Sequence, residues 1–371
     1  MIIITGGSGF IGSHLYNTLK YTQNRNSIKK LPREAFTNVK LMDTILSKSS
    51  CIIHLAGVNR NSSERFIQEE NIKITETIIS SLKRLSHFPR FINISSIHEN
   101  SETSFGIGKR ISRKLLESYY NRYSDKILSL IAPNIFGPFG IPYYNSFIAT
   151  FCERIINKEQ LKITDDRLIP LLYVDDLIKI IYENIQEKRG GVIINFQTNE
   201  IKVSEVAEKL KSFEINYLNR HEFPNLSNRF DLNLFNTFRS YIPFEKFPVN
   251  QRKHTDERGS FVELVRSNSQ GQFSISNSYS GIERGNHFHT RKIERFQIIK
   301  GEALVQIRKI DSDIVYDFHL SEEMMNFIDI PVWHTHNLIN ISDKKELIMT
   351  FWISEPYKVN DPDTFPLKVN I

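Results

Sequence analysis

The chain opens MIIITGGSGFIGSHLYNTLK, and this stretch restricts the fold more than any other. A β-branched run at residues 2–5 meets Gly6-Gly7-Ser8-Gly9-Phe10-Ile11-Gly12, after which SHLYNTLK continues with helical spacing. The order is strand, glycine turn, helix. Gly6, Gly9 and Gly12 permit a tight turn with close backbone approach, and the helix N-terminus behind them offers amide groups to a pyrophosphate. Standing alone, such a turn is either a phosphate cradle or only a turn, so its weight comes from the segments downstream of it.

Further apolar runs recur at CIIHLAG (51–57), RFINISS (90–96), ILSLIAP (127–133) and VIINF (192–196), separated by helical patterns near 62–84, 105–124, 146–157 and 203–213. This alternation predicts a parallel sheet covered on both faces. Within 105–124, Ile107, Ile111, Leu115, Leu116 and Tyr119 form one apolar stripe and leave Lys109 on another face, where it is either solvated surface or part of a site.

The pattern breaks over 214–250 into sequence rich in Asn, Phe and Pro, and then gives way to short alternating strands with no helix between them. That change places a boundary near residue 247, dividing the chain into domains 1–246 and 247–371, the second a β-sandwich or small barrel. The second half also holds the most specific constellation: Gly281, His287-Phe288-His289, Glu294, Gly301, Pro331, His336 and Asn340. Histidines one residue apart share a strand face, and a carboxylate and a distant histidine complete a three-nitrogen, one-oxygen set suited to Zn, Fe, Mn or Ni. Singly, each histidine reads as a packed or surface residue. Together, His287, His289, Glu294 and His336 predict a metal site. His334 is expected on the same face as His336, as an acid/base or supporting group or as a packed histidine.

A length of 371 residues exceeds what one core normally accommodates and agrees with two domains. The net charge of +6 is spread without blocks of like charge, which suits anionic small molecules and brings no nucleic-acid recognition motif. Cys51 and Cys152 lie far apart in apolar surroundings, so buried thiols in a reducing cytoplasm are expected rather than a disulfide. No basic leader opens the chain and no apolar run reaches the roughly 18 residues of a membrane span, so neither export nor a membrane anchor is expected.

The ordered set TGGSGFIG, HLAG (54–57), Ser95-Ser96, Lys109, APNIFGP (132–138) and YVDD (173–176) resembles the extended short-chain dehydrogenase/reductase family over roughly residues 1–240. The resemblance implies an α/β Rossmann-type, doubly wound parallel sheet. It assigns cofactor contacts to Gly6, Gly9, Phe10, Ile11, Gly12, Ala56, Gly57 and Lys109. It also implies a catalytic serine, tyrosine and lysine, which match Ser96, Phe105 and Lys109; the tyrosine is missing. Members preferring NAD tend to carry an acidic residue at the end of the second strand. Here the segment after that strand reads SIKKLPRE, whose Lys29, Lys30 and Arg33 are either surface charges or partners for a 2′-phosphate, so NADP(H) is expected ahead of NAD(H).

The second half resembles both cupin motifs of an all-β, RmlC-like jelly roll, with Trp333 standing where the second motif usually has glycine; DERGSF (256–261) is similar to the sugar-nucleotide epimerase branch. The combination resembles the bifunctional capsular polysaccharide enzymes of the CapF type, through HLAGVNR, YNSFIATFC, LLYVDDLI, DERGSF and the closing DPDTF (361–365). That resemblance implies a UDP-linked 4-keto amino sugar as substrate, on the route to UDP-N-acetyl-L-fucosamine. The cupin half would epimerise carbon 3 with zinc or another divalent metal, catalytic or structural, and the reductase half would reduce the 4-keto group with NADPH, in a homodimer. Phe105 leaves three readings of the reductase half: a cofactor-binding scaffold, slow proton supply by Ser96 or a water held by Lys109, or reduction by a partner enzyme. A non-catalytic sugar-nucleotide-binding scaffold or sensor with a structural metal is the alternative for the whole chain.

Overall fold

Isoleucines divide about the first strand, β1 (Ile2–Thr5): Ile3 faces one apolar layer, and Ile2 and Ile4 face the other. The computed structural model describes all residues except 24–26, 188, 251–253, 257–258, 262–265, 268–270, 344–345, 356 and 371, with backbone alone between 251 and 270. It forms two compact units, Met1–Thr150 with Ile163–Val203, and Phe151–Lys162 with Ser204–Ile371. After β1 come α1 (Phe10–Asn17), β2 (Ile28–Lys30), α2 (Val39–Leu46), β3 (Cys51–His54), α3 (Glu64–Arg84), β4 (Arg90–Ser96), α4 (Ser104–Tyr119) and β5 (Ile127–Ala132). Then come β6 (Asn134–Phe136), α5 (Phe147–Ile156), β7 (Leu168–Tyr173), α6 (Val174–Glu183), β8 (Gly191–Ile193) and β9 (Asn199–Lys202).

The first unit is built on a parallel sheet in the order β2-β1-β3-β4-β5-β8. Leu15, Leu177, Ile178 and Ile181 from α1 and α6 cover one face, and Met42, Ile45, Ile78, Leu82 and Leu116 from α2, α3 and α4 cover the other. This is the doubly wound arrangement the alternation predicts. The chain goes from β1 to β2 on one side and returns past β1 to β3 on the other, so a crevice opens between the carboxyl ends of β1 and β3, where ligands of such sheets bind.

Two local expectations change. The second strand is Ile28–Lys30 itself, so Lys29 and Lys30 lie within it; pairing with Ile3 and Ile4 makes a strand of a polar segment that local pattern does not mark. The buried face of α4 is Gly106, Gly108, Lys109, Ser112 and Leu116, so Lys109 faces inward. The cause is close approach. A Cβ on Gly106 would lie 2.1 Å from the His98 carbonyl oxygen, and one on Gly108 would lie 3.3 Å from Asn71 Cβ on α3.

The second unit contains α7 (Val203–Phe213), β10 (Glu222–Phe223), α8 (Arg229–Arg239), β11 (Val249–Asn250), β12 (His254–Asp256), β13 (Gly259–Phe261) and β14 (Arg266–Ser267). Longer strands come next: β15 (Gln272–Ser278), β16 (Glu283–Phe288), β17 (Glu294–Lys300), β18 (Glu302–Lys309), β19 (Val315–Ser321), β20 (Asn326–Ile330), β21 (His334–Asn340), β22 (Leu347–Ile353) and the short β23 (Phe365–Pro366). They form two antiparallel sheets, β11-β20-β17-β22-β15 and β19-β18-β21-β16-β23. Phe296, Ile298, Ile328 and Met349 of the first meet Val305, Ile307, Leu320 and Leu338 of the second in one core.

On the outer face of the first sheet, Arg295 makes a two-pronged pair with Asp329 at 2.8 and 2.9 Å. Tyr217 donates to the same carboxylate, Arg239 Nε donates to the Tyr217 hydroxyl at 3.1 Å, and Phe223 stacks on Trp352 at 4.2 Å. These contacts group residues 204–246 with the sandwich, upstream of the change of periodicity near residue 247. Cys51 and Cys152 are buried thiols. Among the described residues no helix is long and apolar enough to cross a membrane.

Candidate functional site

At the crevice of the parallel sheet, Gly6 has φ +66°, and a Cβ there would lie 2.7 Å from Ala56 N. A Cβ on Gly12 would lie 2.2 Å from Gly6 O, so the first and third glycines are required by close approach. Thr5 Oγ1 accepts from Leu55 N at 3.2 Å and Ala56 N at 3.1 Å, which brings Ala56 and Gly57 beside the glycine turn. Phe10 and Ile11 open α1, whose N-cap is Gly9; its amide end faces the turn. Lys30 closes β2 with its aliphatic stem against Gly7 and its ammonium 4.5 Å over the Tyr16 ring. Arg33 is exposed at the start of a 3₁₀ turn, Arg33–Phe36.

Ser96 ends β4 and caps the turn after it, its Oγ accepting from His98 N at 3.3 Å. Phe105 and Lys109 lie one turn apart on the same face of α4. The Phe105 ring is half-buried, 6.3 Å from the His98 ring. Lys109 is buried and its Nζ donates to Ile94 O at 2.7 Å. Burial pushes its ammonium down to about 8, against the opposing pull of Glu99. Glu99 is itself buried, accepting from Ser95 Oγ and, at 2.8 Å, from Arg113 Nε. His54, between Thr5 Oγ1 at 2.7 Å and Thr75 Oγ1 at 3.3 Å, is pushed down to about 3 by burial and by Lys109. A neutral imidazole and a buried amine with reduced basicity therefore stand behind this end of the sheet.

In the second unit, His287, His289, Glu294 and His336 present ligand atoms within 4.8 Å of one another. A bulge between Gly285 and His287 re-aims the end of β16, and His287 pairs directly opposite His336 of β21. Phe288, turned the other way, is buried and stacks on Trp333 and Phe365. Glu294, the first residue of β17, holds Oε2 3.1 Å from His289 Nε2 and 3.0 Å from His336 Nε2.

Backbone acceptors set the histidine tautomers. His289 Nδ1 donates to Asp363 O, and His336 Nδ1 approaches His334 O at 3.4 Å. Each Nε2 thus turns toward the carboxylate, and none of these three buried atoms has a hydrogen-bond partner beyond the cluster. They either share protons with one another or hold an ion. Burial opposes the charge on Glu294, but His289 and His336 hold its carboxyl well below the usual range. Burial likewise opposes charge on His289, and Glu294 more than offsets it, raising the imidazole. Burial, then the neighbouring His336, pushes His287 down to about 4. A divalent ion suits this donor set, three imidazole nitrogens and one carboxylate oxygen lying within 4.8 Å of one another.

His334 lies outside the cluster of four. It packs edge-on to Phe244 at 5.3 Å, donates from Nδ1 to Val332 O at 2.9 Å, and burial pushes it down to about 4. Trp333 adopts φ +61°, the left-handed conformation that favours glycine, so the turn keeps its shape around a bulkier residue. Of DERGSF, Glu257 and Arg258 lie outside the described residues. Sequence pattern marks Thr5 and His54 only as members of TGGSGFIG and HLAG and does not single out Glu99, whose importance comes from partners on other elements. It marks Asp363 only as part of DPDTF.

Residues 2–196 match the NAD dependent epimerase/dehydratase family, and residues 254–365 match the polysaccharide biosynthesis C-terminal domain. The UDP-2-acetamido-2,6-beta-L-arabino-hexul-4-ose reductase of Pseudomonas aeruginosa is 27% identical over 99% of this chain and 98% of its own. The crystal structure of the capsular polysaccharide assembling protein CapF from Staphylococcus aureus is 30% identical, with TM-score 0.63 and 99% of both chains covered. The structure of RMD from Pseudomonas aeruginosa, complexed with NADPH, shares the fold over 57% of this chain and 82% of its own, at 20% identity and TM-score 0.50. A glycine turn at the switch point of a doubly wound sheet is what the first of these matches requires, and the chain belongs to the NAD dependent epimerase/dehydratase family, with a polysaccharide biosynthesis domain at its C-terminal end.

Proposed function

We propose that this chain is a bifunctional UDP-sugar-modifying enzyme of capsular or surface polysaccharide biosynthesis. Its substrate is a UDP-linked 2-acetamido-2,6-dideoxy-4-hexulose, epimerised at carbon 3 in the cupin half and reduced at the 4-keto group in the nucleotide-binding half. One observation carries the reading: a nucleotide-type glycine crevice and a His₃Glu cluster occur in one chain whose full length matches both a 4-hexulose reductase and CapF.

For the nicotinamide cofactor, Gly6, Gly9, Gly12 and the α1 amides of Phe10 and Ile11 bind pyrophosphate, and Ala56 and Gly57 line the opposite wall. Lys30, at the end of β2 where an acidic ribose ligand would favour NAD, and Arg33 favour a 2′-phosphate and hence NADP(H). Ser96 and Lys109 orient the sugar carbonyl and the cofactor ribose. Phe105 has no proton to give, and loss of a positioned general acid typically costs about 10²–10⁴ in rate, so reduction is the slower of the two chemistries.

In the cupin half, the 4-keto group acidifies the proton on carbon 3. A divalent ion held by His287, His289, Glu294 and His336, with zinc the best match to this donor set, would supply positive charge beside the sugar oxygen as negative charge develops there. His287 is the least buried of the four. His334 serves as a support rather than a base, since its carbonyl receives His336 Nδ1 and its own ring packs on Phe244 outside the cluster. The test is deuterium uptake at carbon 3 of a UDP-4-hexulose in deuterated water, measured beside NADPH consumption. Uptake with slow NADPH oxidation is expected; absence of both with the UDP-linked sugar refutes the assignment.

A further inference from the structure

The closing DPDTF segment meets the four-residue cluster through Asp363. This residue is 2% exposed and has φ +42°, a backbone region that non-glycine residues seldom occupy. Its Oδ1 accepts from Thr290 N at 3.0 Å and Thr290 Oγ1 at 2.7 Å; its Oδ2 accepts from Arg291 N at 3.0 Å and Lys292 N at 2.9 Å. Three successive amides thus close on one carboxylate. The carbonyl of the same residue accepts the proton of His289 Nδ1. Adjacent residues repeat the attachment: Lys292 Nζ donates to Pro362 O at 2.8 Å, and Arg291 Nη2 reaches Asp361 Oδ2 at 2.6 Å.

We propose that Asp363 is a positioning residue for His289. Its carboxylate fixes the 290–292 turn that separates His289 from Glu294, and this seats its carbonyl where it captures Nδ1–H and aims Nε2 into the cluster. An acceptor on the far ring nitrogen holds a ligating imidazole in one tautomer and orientation and raises its donor strength. The inference rests on reading the cluster as a metal site. A residue that merely capped the turn would contribute to stability alone, without setting metal affinity.

The experiment uses the full chain and inorganic Zn²⁺, with affinity measured by competition against a chromophoric chelator, and Co²⁺ absorption as a report on ligand geometry. Asp363→Ala should weaken Zn²⁺ binding by about 10–100-fold and alter the Co²⁺ bands. Asp363→Asn, which keeps one acceptor oxygen, should recover part of the loss. Asn370→Ala removes the 2.9 Å bond to Gln306 farther along the same segment and should bind as wild type does. Should the alanine variant not fold, Asp363→Gly, which suits φ +42°, carries the same expectation. An alanine or glycine variant with wild-type Zn²⁺ affinity and an unchanged Co²⁺ spectrum overturns the inference alone. Wild-type protein that takes up neither ion overturns the metal reading and this inference with it.

Discussion

Replacing Lys109 by methionine should make the first unit more stable at neutral pH, although it removes a residue proposed to act on cofactor and substrate. Lys109 is 9% exposed, and burial lowers its ammonium from 10.5 to about 8. At about 1.4 kcal/mol per pH unit, bringing that charge into the fold costs about 3 kcal/mol at pH 7. The hydrogen bond to Ile94 O offsets roughly 1 kcal/mol, leaving the methionine variant ahead by about 2 kcal/mol. Because the folded value lies below the unfolded one, the unfolded chain binds more protons between pH 8 and 10.5. Wild-type stability therefore rises with pH across that window. Methionine has nothing to titrate, so its advantage should shrink from pH 8 upward and reverse between about pH 9 and 10, leaving wild type ahead by roughly the lost hydrogen bond above 10.5. Guanidinium unfolding at about pH 7, 8, 9 and 10, monitored by helical circular dichroism, measures the difference, since α1 to α4 and α6 all lie in this unit. A variant less stable than wild type at pH 7, or a gap independent of pH, refutes the reasoning.

Phe105→Tyr should raise NADPH oxidation on a UDP-4-hexulose by about 10²–10⁴ while deuterium uptake at carbon 3 stays constant; no gain would show that more than one hydroxyl separates this unit from a fast reductase. Lys30→Asp should reverse cofactor preference, weakening NADPH by about tenfold, or ~1.4 kcal/mol, and sparing NADH in calorimetric titrations; equal losses for both would place Lys30 away from the 2′-phosphate. Trp333→Gly relieves φ +61° but empties the space against Phe288, so a net loss of about 2–4 kcal/mol in chemical denaturation is expected, with bound metal retained.

What the sequence made legible was local. RFINISS coincides with β4, and the helix expected at 203–213 coincides with α7, because apolar runs between breakers need no distant partner to be recognised. Three of the four cluster residues fall within eight positions: the alternation of an extended chain relates His287 to His289, and a short turn brings in Glu294 at the start of a strand in the facing sheet. The inward face of α4 escaped the pattern because Gly106 and Gly108 count as gaps in an apolar stripe, whereas in the fold they mark the tightest contact. Nor does local sequence announce β2, a three-residue polar strand held by β1, or Asp363, whose partners are about seventy residues away. Glu99 belongs to the same class: an acid in an unremarkable turn until Ser95 and Arg113 converge on it.

The paired charges on the outer face of the sandwich bear on how such fusions are assembled. Arg295 and Asp329 belong to β17 and β20, but Tyr217 and Arg239, which complete their hydrogen bonding, precede the first strand of either sheet, and Phe223 lids Trp352 from the same segment. A module transferred to another protein from residue 247 onward would leave behind the phenol that donates to Asp329 and the ring that covers an indole. Residues 204–246 therefore travel with the sandwich in any exchange of modules that keeps it folded, and because Phe151–Lys162 belongs to the same unit, a single cut at residue 203 or at 247 leaves part of that unit behind.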